Sequence, residues 1–83
     1  MSVRDEIEQF IRENFIFGEV ALAPETSFVE GGILDSTSVL ELVSFLEERF
    51  GISVEPDELN LENLDSVARV EAFVRRKQAL AQA

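Results

Sequence analysis

With 83 residues and 46% hydrophobic side chains, the chain suits one small packed domain and is too apolar to be disordered. Its formal charge of −10, from 17 acidic against 7 basic residues, argues against nucleic acid and anionic membranes and for partners with basic faces. The absence of cysteine and histidine removes disulfides, thiol chemistry of the chain's own, Cys-based metal sites and the usual proton shuttle. No signal-like stretch follows Met1 and no apolar run is long enough to span a bilayer, so a cytoplasmic location is the default expectation.

Ser2-Val3-Arg4-Asp5 has the form of a capping box and predicts that a helix starts at once. Val3, Ile7, Phe10, Ile11 and Phe15 continue one stripe, with Asp5, Glu8 and Arg12 on the wet side, giving a helix over 3–16. Phe17-Gly18 breaks this pattern, and Ala23-Pro24-Glu25-Thr26-Ser27 is turn chemistry. The connection from Phe17 to Leu34 is long for so small a domain, so it must be pinned by its own apolar residues. Val20, Leu22, Phe28, Val29, Ile33 and Leu34 are the candidates, with Phe28 the deepest anchor.

Gly31-Gly32 then frees the backbone before Ile33-Leu34-Asp35-Ser36 opens the most amphipathic run of the chain. Val39, Val43, Leu46 and Phe50, widened by Leu42, fall on one helical face, and Glu41, Ser44 and Glu48 on the other. Gly51 is the stop signal. With Asp35 as N-cap, Ser36 takes the first helical position, its hydroxyl pointing away from the helix body. A phosphate on that oxygen would meet free backbone amides and the positive end of the helix dipole. No histidine is present to activate Ser36 as a nucleophile, so it reads as an acceptor for another enzyme's chemistry.

Ile52 and Val54 are expected to plug the core from a loop, and Glu55-Pro56-Asp57-Glu58-Leu59 to form a short helix with Pro56 at its first position. Asp57, Asn60, Glu62 and Asp65 have the wrong spacing for a calcium loop and lack its glycine, so no metal site is expected. Asp65-Ser66 repeats the earlier dipeptide, but it precedes the stripe Val67, Val70, Phe73, Val74, and a capping role accounts for it. The polar face beyond it carries Arg69, Arg75 and Arg76. From Lys77 to Ala83 the pattern weakens into an expected frayed tail. The expected fold is therefore all-α: residues 1–83 as a single domain, a small four-helix bundle of three long helices and one short one, with a long loop between the first two.

Ile33-Leu34-Asp35-Ser36, followed after two residues by Val39-Leu40-Glu41-Leu42-Val43, resembles the modification site of acyl carrier and peptidyl carrier proteins, and the resemblance spans nearly the whole chain. It implies a non-catalytic carrier holding an acyl or aminoacyl thioester on a 4'-phosphopantetheine arm attached to Ser36. In that reading Asp35 caps the helix and helps a phosphopantetheinyl transferase recognise the site, while Thr37 and Ser38 flank the arm. Glu41, Glu47 and Glu48 form an acidic docking face for that transferase, for an acyl- or aminoacyl-loading ligase and for downstream transferases with basic faces. The carrier is expected to be a monomer serving fatty acid or secondary metabolite biosynthesis.

Ser38 stands where many fatty-acid carriers have an acid. Phe10, Phe15, Phe28, Phe45, Phe50 and Phe73 would also crowd the interior, leaving little room for a long chain. Both features lean toward a specialised carrier of a short acyl or aminoacyl group. The alternative is an unmodified acidic adaptor of the same fold, acting only through protein–protein contact. A small hydrolase would have no histidine, no cysteine and no oxyanion-type constellation to work with.

Overall fold

A computed structural model of the chain describes residues 2–16, 22–35 and 37–82. Among these, the helices are α1 (Val3–Phe15), α2 (Ser38–Phe50), a 3-10 turn (Pro56–Glu58), α3 (Leu61–Leu64) and α4 (Val67–Gln82), and no strand occurs. The expected pattern of three long helices and one short α-helix is met. α1 starts where its cap directs: Ser2 Oγ accepts from the Asp5 N–H at 3.1 Å. α2 stops at Gly51, whose φ of 67° is left-handed and whose N–H donates to the Glu47 carbonyl at 3.0 Å.

One apolar cluster holds the helices together. α1 supplies Ile7 and Ile11, α2 supplies Leu42 and Leu46, and α4 supplies Val67, Val70, Phe73 and Val74, with both α1 and α2 packed against α4. Leu22, Phe28 and Leu34 enter the cluster from the long loop, and Ile52 from the loop after α2. Phe28 has no exposed surface and is the deep anchor the sequence suggests. Val54 is partly buried, its N–H held by Glu47 Oε2 at 3.0 Å. Val20 lies outside the described residues.

Several expectations need correction. The short helix at 55–59 is a 3-10 turn only, and a separate one-turn α3 follows it. Asn60 makes the division: its side chain accepts from the Asn63 N–H and so starts a new helix. The tail is helical to Gln82, because nothing after Lys77 breaks a helix and Lys77 is tied to Glu58 at 2.9 Å. Val29 does not pin the loop; it is 48% exposed.

The phenylalanines also divide differently from expectation. Among the described phenylalanines, only Phe28 and Phe73 are buried in the core. Phe10, Phe15, Phe45 and Phe50 form a half-buried aromatic strip between α1 and α2, with Phe10 and Phe45 centroids 4.1 Å apart. The interior is thus not crowded by six rings, and an apolar cavity is left elsewhere, beside the start of α2.

Candidate functional site

The loop that leads into α2 is folded on itself and tied to the far side of the bundle. Gly31 N–H donates to the Ser27 carbonyl at 3.0 Å and Ile33 N–H to the Phe28 carbonyl at 2.8 Å, closing residues 27–33 into a tight turn. The glycine pair is required here. Gly32 has φ of 68°, and a Cβ on Gly31 would lie 3.1 Å from the Ser27 carbonyl oxygen. Phe28 and Leu34 then anchor the two limbs of this turn in the core.

Asp65, at the junction of α3 and α4, holds the same turn from below. Its Oδ2 accepts from Ser27 Oγ at 2.7 Å, its Oδ1 from the Val29 N–H at 3.1 Å, and its carbonyl from the Phe28 N–H at 2.7 Å. Three residues further, the Ala68 N–H donates to the Pro24 carbonyl at 2.8 Å. The sequence assigns a capping role to the Asp65-Ser66 pair. That role belongs to Ser66, whose Oγ accepts from the Arg69 N–H at 3.1 Å and whose carbonyl accepts from Val70 at 2.9 Å. Ser66 is only 3% exposed, so its hydroxyl is both engaged and inaccessible.

Asp35 begins α2. Its Oδ1 accepts from the N–H groups of Thr37 (3.0 Å) and Ser38 (2.8 Å), and its carbonyl accepts from Val39 (3.0 Å). Regular helix is assigned only from Ser38, but these bonds carry the helical pattern back to Asp35, which acts as the N-cap. The backbone N–H and hydroxyl of Ser38, followed by the Thr37 N–H, hold the Asp35 carboxyl below its ordinary value. Ser36 itself lies outside the described residues.

One expectation fails here. The amides of Thr37 and Ser38 are not free for a phosphate, because the Asp35 carboxylate already occupies them. That carboxylate also offsets the positive end of the helix dipole. Asp35 and Thr37 are both exposed, and no buried polar side-chain atom goes unsatisfied among the described residues.

Beside this turn lies a cavity of about 270 Å³. Phe28, Leu34, Val39 and Leu64 form its walls. Its mouth is rimmed by Val29, Leu40, Leu59 and Leu61, which are 40% to 57% exposed. The polar lining residue is Asn60, and its amide is engaged: Oδ1 accepts from Asn63 at 3.1 Å and Nδ2 donates to the Asp57 carbonyl at 3.2 Å.

Of the three acids expected to form a docking face, the structure keeps two together. Glu41 and Glu48 are exposed on α2 and take part in no ion pair among the described residues. Glu47 turns to the loop after α2, where it holds Val54. Basic residues are drawn elsewhere: Arg49 to Glu6, Arg4 and Arg75 to Glu71, and Lys77 to Glu58. Among the described residues no group of histidine, cysteine, aspartate or glutamate is placed to hold a metal ion, and no helix is long and apolar enough to cross a membrane.

Residues 5–74 match the protein family described as "Phosphopantetheine attachment site". The chain is 32% identical over 78 residues to the acyl carrier protein of Nitratidesulfovibrio vulgaris, covering 94% of this chain and 100% of that protein. It is 32% identical over 79 residues to the D-alanyl carrier protein of Leuconostoc citreum, covering 89% of this chain and 99% of that one. The acyl carrier protein of Helicobacter pylori is 38% identical over 58 residues, 70% of this chain and 73% of its own length.

Proposed function

The chain belongs to the phosphopantetheine-attachment family, and from that premise we propose that Ser36 is the residue that carries the arm. The family is one of non-catalytic carriers that present acyl groups on covalent 4'-phosphopantetheine. When bound, the arm supplies a thiol that holds cargo as a thioester. The observation that carries the assignment to Ser36 is the division of labour at the start of α2. Asp35 caps the Thr37 and Ser38 amides, so the cap of α2 does not depend on a serine hydroxyl. The competing Ser66 hydroxyl is buried and engaged.

What the chain's own residues contribute is presentation. Phe28 and Leu34 fix the approach to the turn, Asp35 fixes the start of α2, and Thr37 stays exposed beside the attachment position. Glu41 and Glu48 give partner enzymes an unpaired acidic face on the same helix. Such contacts speed encounter while affinity stays modest, as a carrier that must visit several enzymes requires. Those enzymes are a phosphopantetheinyl transferase, a loading ligase and downstream transferases with basic docking faces.

The cavity beside the turn supports an acyl cargo over an aminoacyl one. Its walls and rim are hydrocarbon, and its polar lining residue, Asn60, already spends its amide on Asn63 and Asp57. Similarity to a D-alanyl carrier protein supports aminoacyl cargo as the second reading. The test is incubation of the whole chain with coenzyme A and a promiscuous phosphopantetheinyl transferase, followed by intact mass and peptide mapping. A gain equal to the arm on the peptide containing Ser36 is the expected result. No gain would favour the unmodified adaptor.

A further inference from the structure

Asp65 makes three bonds to the loop that leads into α2, and none of them serves the helices on either side of it. Its partners Ser27, Phe28 and Val29 are 36 to 38 residues away in sequence. The bonds then relay onward. Ser27 Oγ, while donating to Asp65, accepts from the Glu30 N–H at 3.1 Å, and the Ser27 carbonyl accepts from Gly31. The Phe28 carbonyl accepts from both Ile33 (2.8 Å) and Leu34 (3.3 Å), the residues immediately before Asp35. A continuous chain of hydrogen bonds thus runs from the α3–α4 junction to the last residue before the α2 cap. Among the described residues the loop has few other polar ties to the bundle, the Ala68 N–H to the Pro24 carbonyl being one, and Val29, Glu30, Gly31 and Gly32 are exposed.

We infer that Asp65 is a positioning residue for arm attachment: its carboxylate and carbonyl clamp the 27–34 turn so that the Asp35–Ser38 turn is presented in one geometry to the transferase. The inference rests on Ser36 as the attachment site. An ionised carboxylate suits the task because it accepts from a hydroxyl and an amide at once without reorienting. Its loss leaves the Phe28 and Leu34 anchors in the core, so the domain stays folded while the turn gains freedom. A displacement of about 1 Å at a reacting group costs on the order of 10²-fold in rate, so partial loosening is expected to cost roughly tenfold.

The experiment compares wild type, Asp65→Ala, Asp65→Asn and Ser66→Ala. Each is assayed for initial rates of arm transfer from coenzyme A and for amide hydrogen exchange at Val29, Ile33, Leu34, Thr37 and Ser38. Asp65→Ala is expected to lower kcat/KM for transfer about tenfold and to speed exchange at all five amides. Asp65→Asn keeps an acceptor for Val29 and should fall between it and wild type. Ser66→Ala destabilises α4 from the neighbouring position and should leave transfer and these amides unchanged, separating positioning from general loss of stability. Unchanged exchange in Asp65→Ala, or equal slowing in Ser66→Ala, would overturn the inference. A wild type that takes up no arm would sink the Ser36 reading instead, and the exchange data would still judge the clamp.

Discussion

The dipeptide Asp-Ser occurs twice, at 35–36 before α2 and at 65–66 before α4, and the two copies divide their work in opposite ways. At the first, the aspartate caps the helix through the Thr37 and Ser38 amides. At the second, the serine caps through the Arg69 amide, and the aspartate reaches across the bundle to Ser27 and Val29. Burial sets them apart as well: Asp35 is exposed, whereas Ser66 is 3% exposed. A short motif therefore specifies a helix start but not which of its side chains is left over. That is decided by what packs on it.

The comparison can be broken most forcefully where both copies lean on one side chain. Phe28 is fully buried, follows Ser27, and donates its N–H to the Asp65 carbonyl while its own carbonyl holds Ile33 and Leu34. Phe28→Ala should cost about 3–5 kcal/mol, most of the stability expected of so small a domain. A thermal or denaturant melt close to wild type would show that the loop is not anchored as described.

Next in size is the cap at α4. Ser66→Ala removes the acceptor for Arg69 and should cost about 1 kcal/mol, read as a lowered Tm. An unchanged melt would mean that Ser66 does not cap, and the contrast between the two dipeptides would lose one of its terms.

The α2 cap offers a pH signature. The Asp35 carboxyl is held below its ordinary value in the folded state, chiefly by Ser38, so the unfolded chain binds its proton more readily. Its contribution is complete above the unfolded carboxyl's range and fades as pH falls through the lower folded value. Asp35→Ala should therefore lower Tm at neutral pH, and the gap from wild type should close in acid. A gap that stays constant down the acid limb would argue against the charged cap.

The smallest effect on stability is expected on the exposed acids. Glu41→Lys with Glu48→Lys should leave the melt within about 0.5 kcal/mol of wild type, yet slow transfer to partner enzymes in a salt-dependent way. Transfer rates indifferent to both the reversal and added salt would remove the docking role.

Features set by neighbours in sequence were legible before the structure: the Ser2 cap, the Gly51 stop, Asp35 as the α2 cap and Ser66 as the α4 cap. Each depends on a contact within four residues, and the helical stripes depend on period alone. Phe28 was legible as an anchor because it is a large aromatic in the middle of a long loop that must be pinned by its own apolar residues. The roles of Asp65 and Glu47 were not. Asp65 bonds to residues 36 and 38 positions away, and Glu47 to Val54, across turns whose geometry no local pattern states. The break between the 3-10 turn and α3 was available in principle, since Asn60 three residues before Asn63 is a capping signal. The cavity was hidden because its walls come from three separate segments.

The central claim, that one Asp-Ser pair carries the arm and the other builds the fold, is tested most directly by intact mass of two variants treated alike. Ser36→Ala and Ser66→Ala are incubated with coenzyme A and a promiscuous phosphopantetheinyl transferase, with wild type alongside. The expected result is no mass gain for Ser36→Ala, which melts like wild type, and complete gain of the arm by Ser66→Ala. An arm on Ser36→Ala, or a folded Ser66→Ala that takes none, would contradict it.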